Sequence, residues 1–94
     1  MVELHLNDYK NAIIDFNSAL NLKPDYLQAW GNMGRAKINV NDYEGAINDL
    51  TKAISIKKDL ATIWYLRGLA YSKLNKQVEA EKDWIEARKL GFKE

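Results

Sequence analysis

Apolar residues recur along this chain at steps of three and four. Tyr9, Ala12, Ile13, Phe16, Ala19 and Leu20 form one such run, and Tyr43, Ala46, Ile47, Leu50, Ala53 and Ile54 form another. Each run is the apolar stripe of an amphipathic helix. Leu27, Trp30, Met33, Gly34 and Ile38 give a further stripe. Leu60, Ile63, Trp64, Gly68 and Tyr71 give its successor, with the charged Arg67 as an odd member. No segment alternates as a strand would. The pattern predicts helices over 9–22, 26–39, 43–57, 60–74 and 77–90, joined by short turns into antiparallel pairs.

Turn chemistry supports these boundaries. Asp25 follows Pro24 and stands three before Gln28, a capping box with Asp as the cap. Asn41 stands in the same relation to Glu44, and Asp59 is placed to cap the helix through Trp64. Gly91 followed by Phe92 suits a left-handed helix end whose next residue folds back onto the helix.

The runs also repeat each other. A step of 34 residues carries Asn7 to Asn41, Tyr9 to Tyr43, Ala12 to Ala46, Asp15 to Asp49, Trp30 to Trp64 and Gly34 to Gly68. A second step carries Asn41 to Asn75, Ala46 to Ala80, Asp49 to Asp83 and Ala53 to Ala87. A period in this range indicates stacked supersecondary units.

These residues resemble the tetratricopeptide repeat (TPR) family, whose pattern is W-x2-L-G-x2-Y, then A-x3-F, then P. Trp30, Met33 and Gly34 follow the first block, with Lys37 in place of Tyr. Trp64, Gly68 and Tyr71 follow it again, with Arg67 in place of Leu. Ala12 with Phe16, Ala46 with Leu50, and Ala80 with Trp84 supply the second block. Pro24 matches the last position and Lys58 departs from it. The resemblance implies an all-α fold, an α-α superhelix of antiparallel pairs. It implies one domain over residues 1–94, with a partial repeat at 1–24 and further repeats at 27–60 and 61–94. In such a fold the glycines and alanines lie where helices approach closely, and the tryptophans fill the gap to the neighbouring pair.

The first repeat departs from the pattern, since Met1 to Leu6 amounts to about the last turn of its first helix. The apolar positions Tyr9, Ile13 and Phe16 are then left without a partner, and they are candidates for self-association. Stacked repeats generally need about three units and polar ends. A fragment of a longer array, a homo-oligomer and a helix-exchanged dimer all answer this need.

The resemblance further implies a concave groove lined by the first helix of each pair. On this chain the lining would be Gln28, Asn32, Arg35 and Asn39, followed by Thr62, Tyr65, Leu66, Leu69 and Lys73. Asn32 can hold a peptide amide, and Arg35 and Lys73 favour an acidic ligand. The expected partner is a protein or peptide. Some family members hold the carboxylate terminus of chaperones with Lys, Asn, Asn, Lys and Arg. Asn32 fits the central Asn, but Thr62 and Leu66 stand where the later Lys and Arg belong. A chaperone-tail binder is not expected.

Composition narrows the remaining classes. The chain of 94 residues is 47% hydrophobic and 29% charged with a net charge of +1, as in a folded domain without a basic face for nucleic acid. A pentatricopeptide array for RNA would have a period one residue longer and would lack this Trp and Gly pattern. There is no cysteine, and His5 is the sole histidine, so neither a metal site nor a nucleophilic triad is expected, and no cofactor. Asp15, Asp49 and Asp83 occupy equivalent sites in successive units and do not make an acid pair for catalysis. Asp49 or Asp83 is instead expected to pair with Arg67 at a helix interface. The opening MVELHLND shows no signal peptide, and no apolar run approaches the ~18 residues of a membrane span. The expectation is a cytoplasmic, non-enzymatic interaction module. The alternative is a structural unit that oligomerises through its end helices.

Overall fold

The computed structural model describes residues 6–93, and every regular element among them is helical: α1 (Leu6–Leu22), α2 (Leu27–Asn39), α3 (Tyr43–Ile56), α4 (Ala61–Lys73) and α5 (Gln77–Lys89). Each helix packs on the one before and the one after it, and α2 also touches α4. This is the all-α superhelical stack that the stripes and period predict. His5 and most of the segment read as the end of a preceding helix lie outside the described residues. Leu6 belongs to α1 itself, which begins three residues before the expected start. Asp8 in its first turn favours that extension, because a carboxylate there opposes the positive end of the helix dipole.

The turns differ from the expected caps in an instructive way. Asn41 is not the cap of α3. It takes a positive φ of 66° and closes α2, with the Asp42 amide donating to the Lys37 carbonyl at 2.8 Å. Asp42 is then the first residue able to serve α3, and it accepts from the Gly45 amide at 3.0 Å. Asn75 repeats the left-handed turn one period later with φ 61°, and the Lys76 amide donates to the Tyr71 carbonyl at 2.9 Å. At Gly91 the expected left-handed end is present, with φ 100°. The Phe92 amide donates to the Ala87 carbonyl at 2.9 Å, so α2, α4 and α5 all end in the same six-residue loop-back.

Asp25 and Asp59 do not cap either. Tyr26 and Leu60 hold those positions, and neither makes a side-chain cap bond. The two tryptophans do the anchoring. The Trp30 indole donates to the Pro24 carbonyl at 2.7 Å, and the Trp64 indole to the Lys58 carbonyl at 2.8 Å. Each pins the incoming loop to the first turn of its helix, which leaves the aspartates exposed to water.

The core is divided between helix pairs. Leu20, Ala29 and Met33 form one buried cluster, with Ile13, Phe16 and Trp30 packed against it. Ala46, Leu50 and Ala70 form another, flanked by Ile38, Tyr43, Ile47, Ile63 and Leu66. Helices cross tightly at the repeated glycines. A Cβ on Gly34 would stand 2.6 Å from Leu50 Cγ, and one on Gly68 would stand 2.6 Å from Trp84 Nε1 and 3.2 Å from the Ala80 carbonyl. Ala46, Ala53 and Ala80 are fully buried, as close crossing requires.

Each complete pair also contains one buried ion pair. Arg67 donates from Nε and Nη2 to both Asp83 carboxylate oxygens at 2.9 and 2.8 Å. Its guanidinium also lies 5.0 Å from the Trp64 ring centre and 5.7 Å from that of Tyr71. Of the two partners expected for Arg67, Asp83 is the one used, and it raises the Arg67 pKa against the opposing effect of burial. Asp49 pairs instead with Lys37, with Nζ 2.9 Å from Oδ2. Lys37 and Arg67 occupy different signature positions, one helical turn apart, yet both reach the equivalent aspartate of the following helix.

Burial pushes the Asp49 carboxyl above its ordinary value, a rise that Lys37 reduces without cancelling. Ionising this group therefore costs the folded chain more than the unfolded one. Its contribution to stability is whole below the unfolded pKa, near about 4, and declines as pH climbs through the raised folded value. Asp49→Asn should remove that decline. Urea midpoints measured from about pH 3.5 to 7 should then fall less steeply with pH, or rise more steeply, than in the parent. Equal slopes in the two proteins would rule out this role.

Candidate protein-interaction groove

The inner side of the stack is made by α2 and α4, which approach each other where Ile63 lies against Gly31. Between them lies an open cleft of about 330 Å3. Gln28, Asn32 and Arg35 line it from α2, Ile63 and Leu66 from α4, and Lys57 from the connecting turn. Its floor is apolar, with Leu27, Leu60, Ile63 and Leu66. Its polar lining carries two cations, Arg35 and Lys57, and no carboxylate. Asp59 sits 3.6 Å from Lys57, but both side chains stay more than half exposed, at 53% and 68%. That contact is weak in water and can be exchanged for another anion.

A second cleft, of about 250 Å3, opens between α1 and α2. Tyr9, Ala12 and Phe16 wall it on one side; Asn32, Arg35 and Asn39 wall it on the other. Asn32 and Arg35 thus border both clefts.

The residues expected to line one groove are therefore distributed. Gln28, Asn32, Arg35 and Leu66 come together in the α2–α4 cleft. Asn39 faces the α1–α2 cleft instead. Thr62 and Lys73 are exposed and Leu69 is half-buried, and none of the three lines either cleft. Tyr65 is engaged within the chain: its ring stacks on Phe92 with centres 4.3 Å apart and planes 16° from parallel. The Phe92 backbone folds back onto α5 as expected, and its ring reaches across to Tyr65 of α4. Lys57 and Ile63 line the cleft without having been singled out. A basic residue in the turn just before the second inner helix was the available signal. Of the self-association candidates, Ile13 and Phe16 pack partly against the Leu20 cluster, and Tyr9 stays half-buried at the second cleft. No group of three or more metal-ligating residues occurs among the described residues, and no helix among them is long and apolar enough to cross a membrane.

Several solved structures superpose on this helical stack. The second TPR of Spaghetti (RPAP3), solved bound to the HSP90 peptide SRMEEVD, superposes with a TM-score of 0.86 at 25% identity, over 88% of this chain and 77% of that one. MamA superposes with a TM-score of 0.85 at 26% identity, over 88% of this chain but 48% of its own. This chain therefore spans about half the length of MamA. The first TPR of Spaghetti reaches 0.87 at 22% identity, over 90% and 68% of the two chains, a likeness of fold alone. No curated protein sequence matches the chain. Family models described as "Tetratricopeptide repeat" and "TPR repeat" match residues 1–26 and 38–75. With the 34-residue period, the glycine crossings and the five-helix stack, these matches place the chain in the tetratricopeptide repeat family.

Proposed function

We propose that this chain is a non-enzymatic protein-interaction module whose α2–α4 cleft holds an acidic segment of a partner protein. The observation that carries this reading is the lining of that cleft: Arg35 and Lys57 above an apolar floor, with no carboxylate among the lining residues. A cation that accepts a carboxylate and an amide such as Asn32 that pairs with a peptide bond are the groups such a segment needs. The leucines and the isoleucine of the floor would take its apolar side chains. The peptide on the second TPR of Spaghetti, SRMEEVD, is also acidic towards its end. Here Thr62 and Leu66 replace the clamp cations of the chaperone-tail binders, so an internal acidic segment fits better than a free carboxylate terminus.

The test is fluorescence anisotropy with labelled SRMEEVD and with the same peptide carrying a C-terminal amide. The two should bind alike, because the cleft reads side-chain carboxylates. Arg35→Glu combined with Lys57→Glu should weaken both by at least about tenfold, or 1.4 kcal/mol, and leave the unfolding midpoint unchanged, because both side chains are exposed. Binding that needs the free carboxylate, or that survives the double charge reversal, would overturn the reading.

A second reading rests on Ile14 at one end of the stack, 61% exposed, and on Val78 and Ile85 at the other, 65% and 42% exposed. These residues would serve a unit that assembles with its own copies. Light scattering over a wide concentration range separates the two, since the groove module stays monomeric.

A further inference from the structure

We propose that Asp59 is a built-in competitor for the α2–α4 cleft: its carboxylate pairs with Lys57 and must be displaced when the partner's acidic segment binds. This inference rests on the reading of that cleft given above.

The internal repeat shows that the pair is particular to this turn. Lys57, Asp59 and Leu60 stand one period after Lys23, Asp25 and Tyr26. In the earlier turn the Lys23 ammonium lies over the Tyr26 ring, 5.4 Å from its centre, and the negative face of the ring takes the cation. In the later turn Leu60 stands in place of that ring and enters the floor of the cleft. Lys57 then has no aromatic face at that position. Its ammonium is 3.6 Å from Asp59 Oδ1 instead.

The turn holds both groups at the rim of the cleft. The Trp64 indole donates to the Lys58 carbonyl at 2.8 Å, so the residue between Lys57 and Asp59 is tied to α4. Asp59 itself does no work for that helix. Leu60 occupies the N-cap, and no side chain caps it. The Asp59 carboxylate can therefore move toward or away from Lys57 without giving up a structural bond. A separation of 3.6 Å is also longer than the ~2.7–2.9 Å of a charge-assisted hydrogen bond. The pair is loose, and a better-placed carboxylate can replace it.

This pairing distributes the recognition unevenly. At Lys57 an incoming carboxylate breaks one ion pair to form another, so only the difference is gained. At Arg35 no such exchange arises, because no carboxylate lines the cleft. The acidic segment is thus held mainly through Arg35, and Asp59 keeps the share of Lys57 small.

The test is a double-mutant cycle. Labelled SRMEEVD is titrated by anisotropy at low salt against the parent chain, Asp59→Asn, Lys57→Gln and the double variant. Asp59→Asn should tighten binding about two- to fivefold, the range for one exposed ion pair. Its urea midpoint should match that of the parent, because the side chain is more than half exposed and caps nothing. Once Lys57 is Gln, Asp59→Asn should have no effect, which separates competition at Lys57 from a general gain in positive charge. Suppose the parent binds and the Arg35→Glu, Lys57→Glu variant does not. Unchanged or weaker binding by Asp59→Asn would then overturn this inference and leave the cleft reading standing. A gain that persists without Lys57 would overturn it as well. A parent chain that fails to bind the peptide would overturn the cleft reading and this inference together.

Discussion

Arg67→Ala should destabilise the chain by about 3–5 kcal/mol, the range for removing one member of a buried ion pair. The loss arises mainly from what remains. Asp83 is 3% exposed, and without Arg67 its carboxylate would be left in the α4–α5 interface with neither water nor a cation. The guanidinium also forms part of the packing between Trp64 and Tyr71 and donates to Thr51 Oγ1 at 3.2 Å. For a domain of this size each kcal/mol shifts the melting temperature by roughly 4–8 °C, so the variant should melt more than about 12 °C lower. Arg67→Met with Asp83→Leu should recover most of the difference, because an apolar pair of similar volume removes the need to desolvate two charges. Calorimetry on the three proteins checks both statements. A single variant within about 1 kcal/mol of the parent would show that Asp83 finds water or another cation.

Leu50→Ala should cost a comparable amount, about 2–5 kcal/mol, because Leu50 is fully buried at the α2–α3 crossing. Gly34→Ala should act in the opposite sense, by crowding. Its new methyl group would stand 2.6 and 2.7 Å from Leu50 Cγ and Cδ2. Overpacking of this kind costs about 1–3 kcal/mol, offset by up to about 1 kcal/mol because alanine favours a helix over glycine. The two changes share one space. Once Leu50 is shortened, the methyl at position 34 fills part of the void. The double variant should therefore be more stable than the sum of the single effects by at least about 0.5–1 kcal/mol. Urea titration of the four proteins measures this coupling, and strict additivity would show that Leu50 moves aside at no cost.

Much of this architecture can be read from residue type and spacing. Tyr9, Ala12, Ile13 and Phe16 and their counterparts after 34 residues define helices and their order before any coordinates are known, because a stripe at 3.6-residue spacing has one helical solution. Gly34 and Gly68 mark the crossings because close approach excludes a side chain. What depends on three-dimensional proximity is harder to read. Arg67 lies between Asp49 and Asp83 in sequence, and α4 is flanked by both α3 and α5. Spacing alone offers both partners, and only the crossing geometry, with Lys37 already on Asp49, selects Asp83. The caps slipped for a local reason: Asn41 can adopt a positive φ, so it ended one helix and left Asp42 to begin the next. The cleft was half legible. Asn32, Arg35 and Leu66 follow from the repeat register. Lys57 enters from a turn whose path the register does not fix, and Tyr65 is covered by Phe92 because Gly91 redirects the last residues toward α4.

Because every helix leans on its sequence neighbours, with α2–α4 the one contact that skips a helix, the chain has short distances to search while it folds. Contacts between adjacent segments close small loops, and chains built this way reach the native state fast for their size. The same arrangement works in reverse. No long-range strand ties one end of the stack to the other, so α1 can detach from α2 while α3, α4 and α5 keep their mutual support. The molecule is thus expected to lose structure in stages from its ends rather than in a single step, with the α3 neighbourhood the last to open.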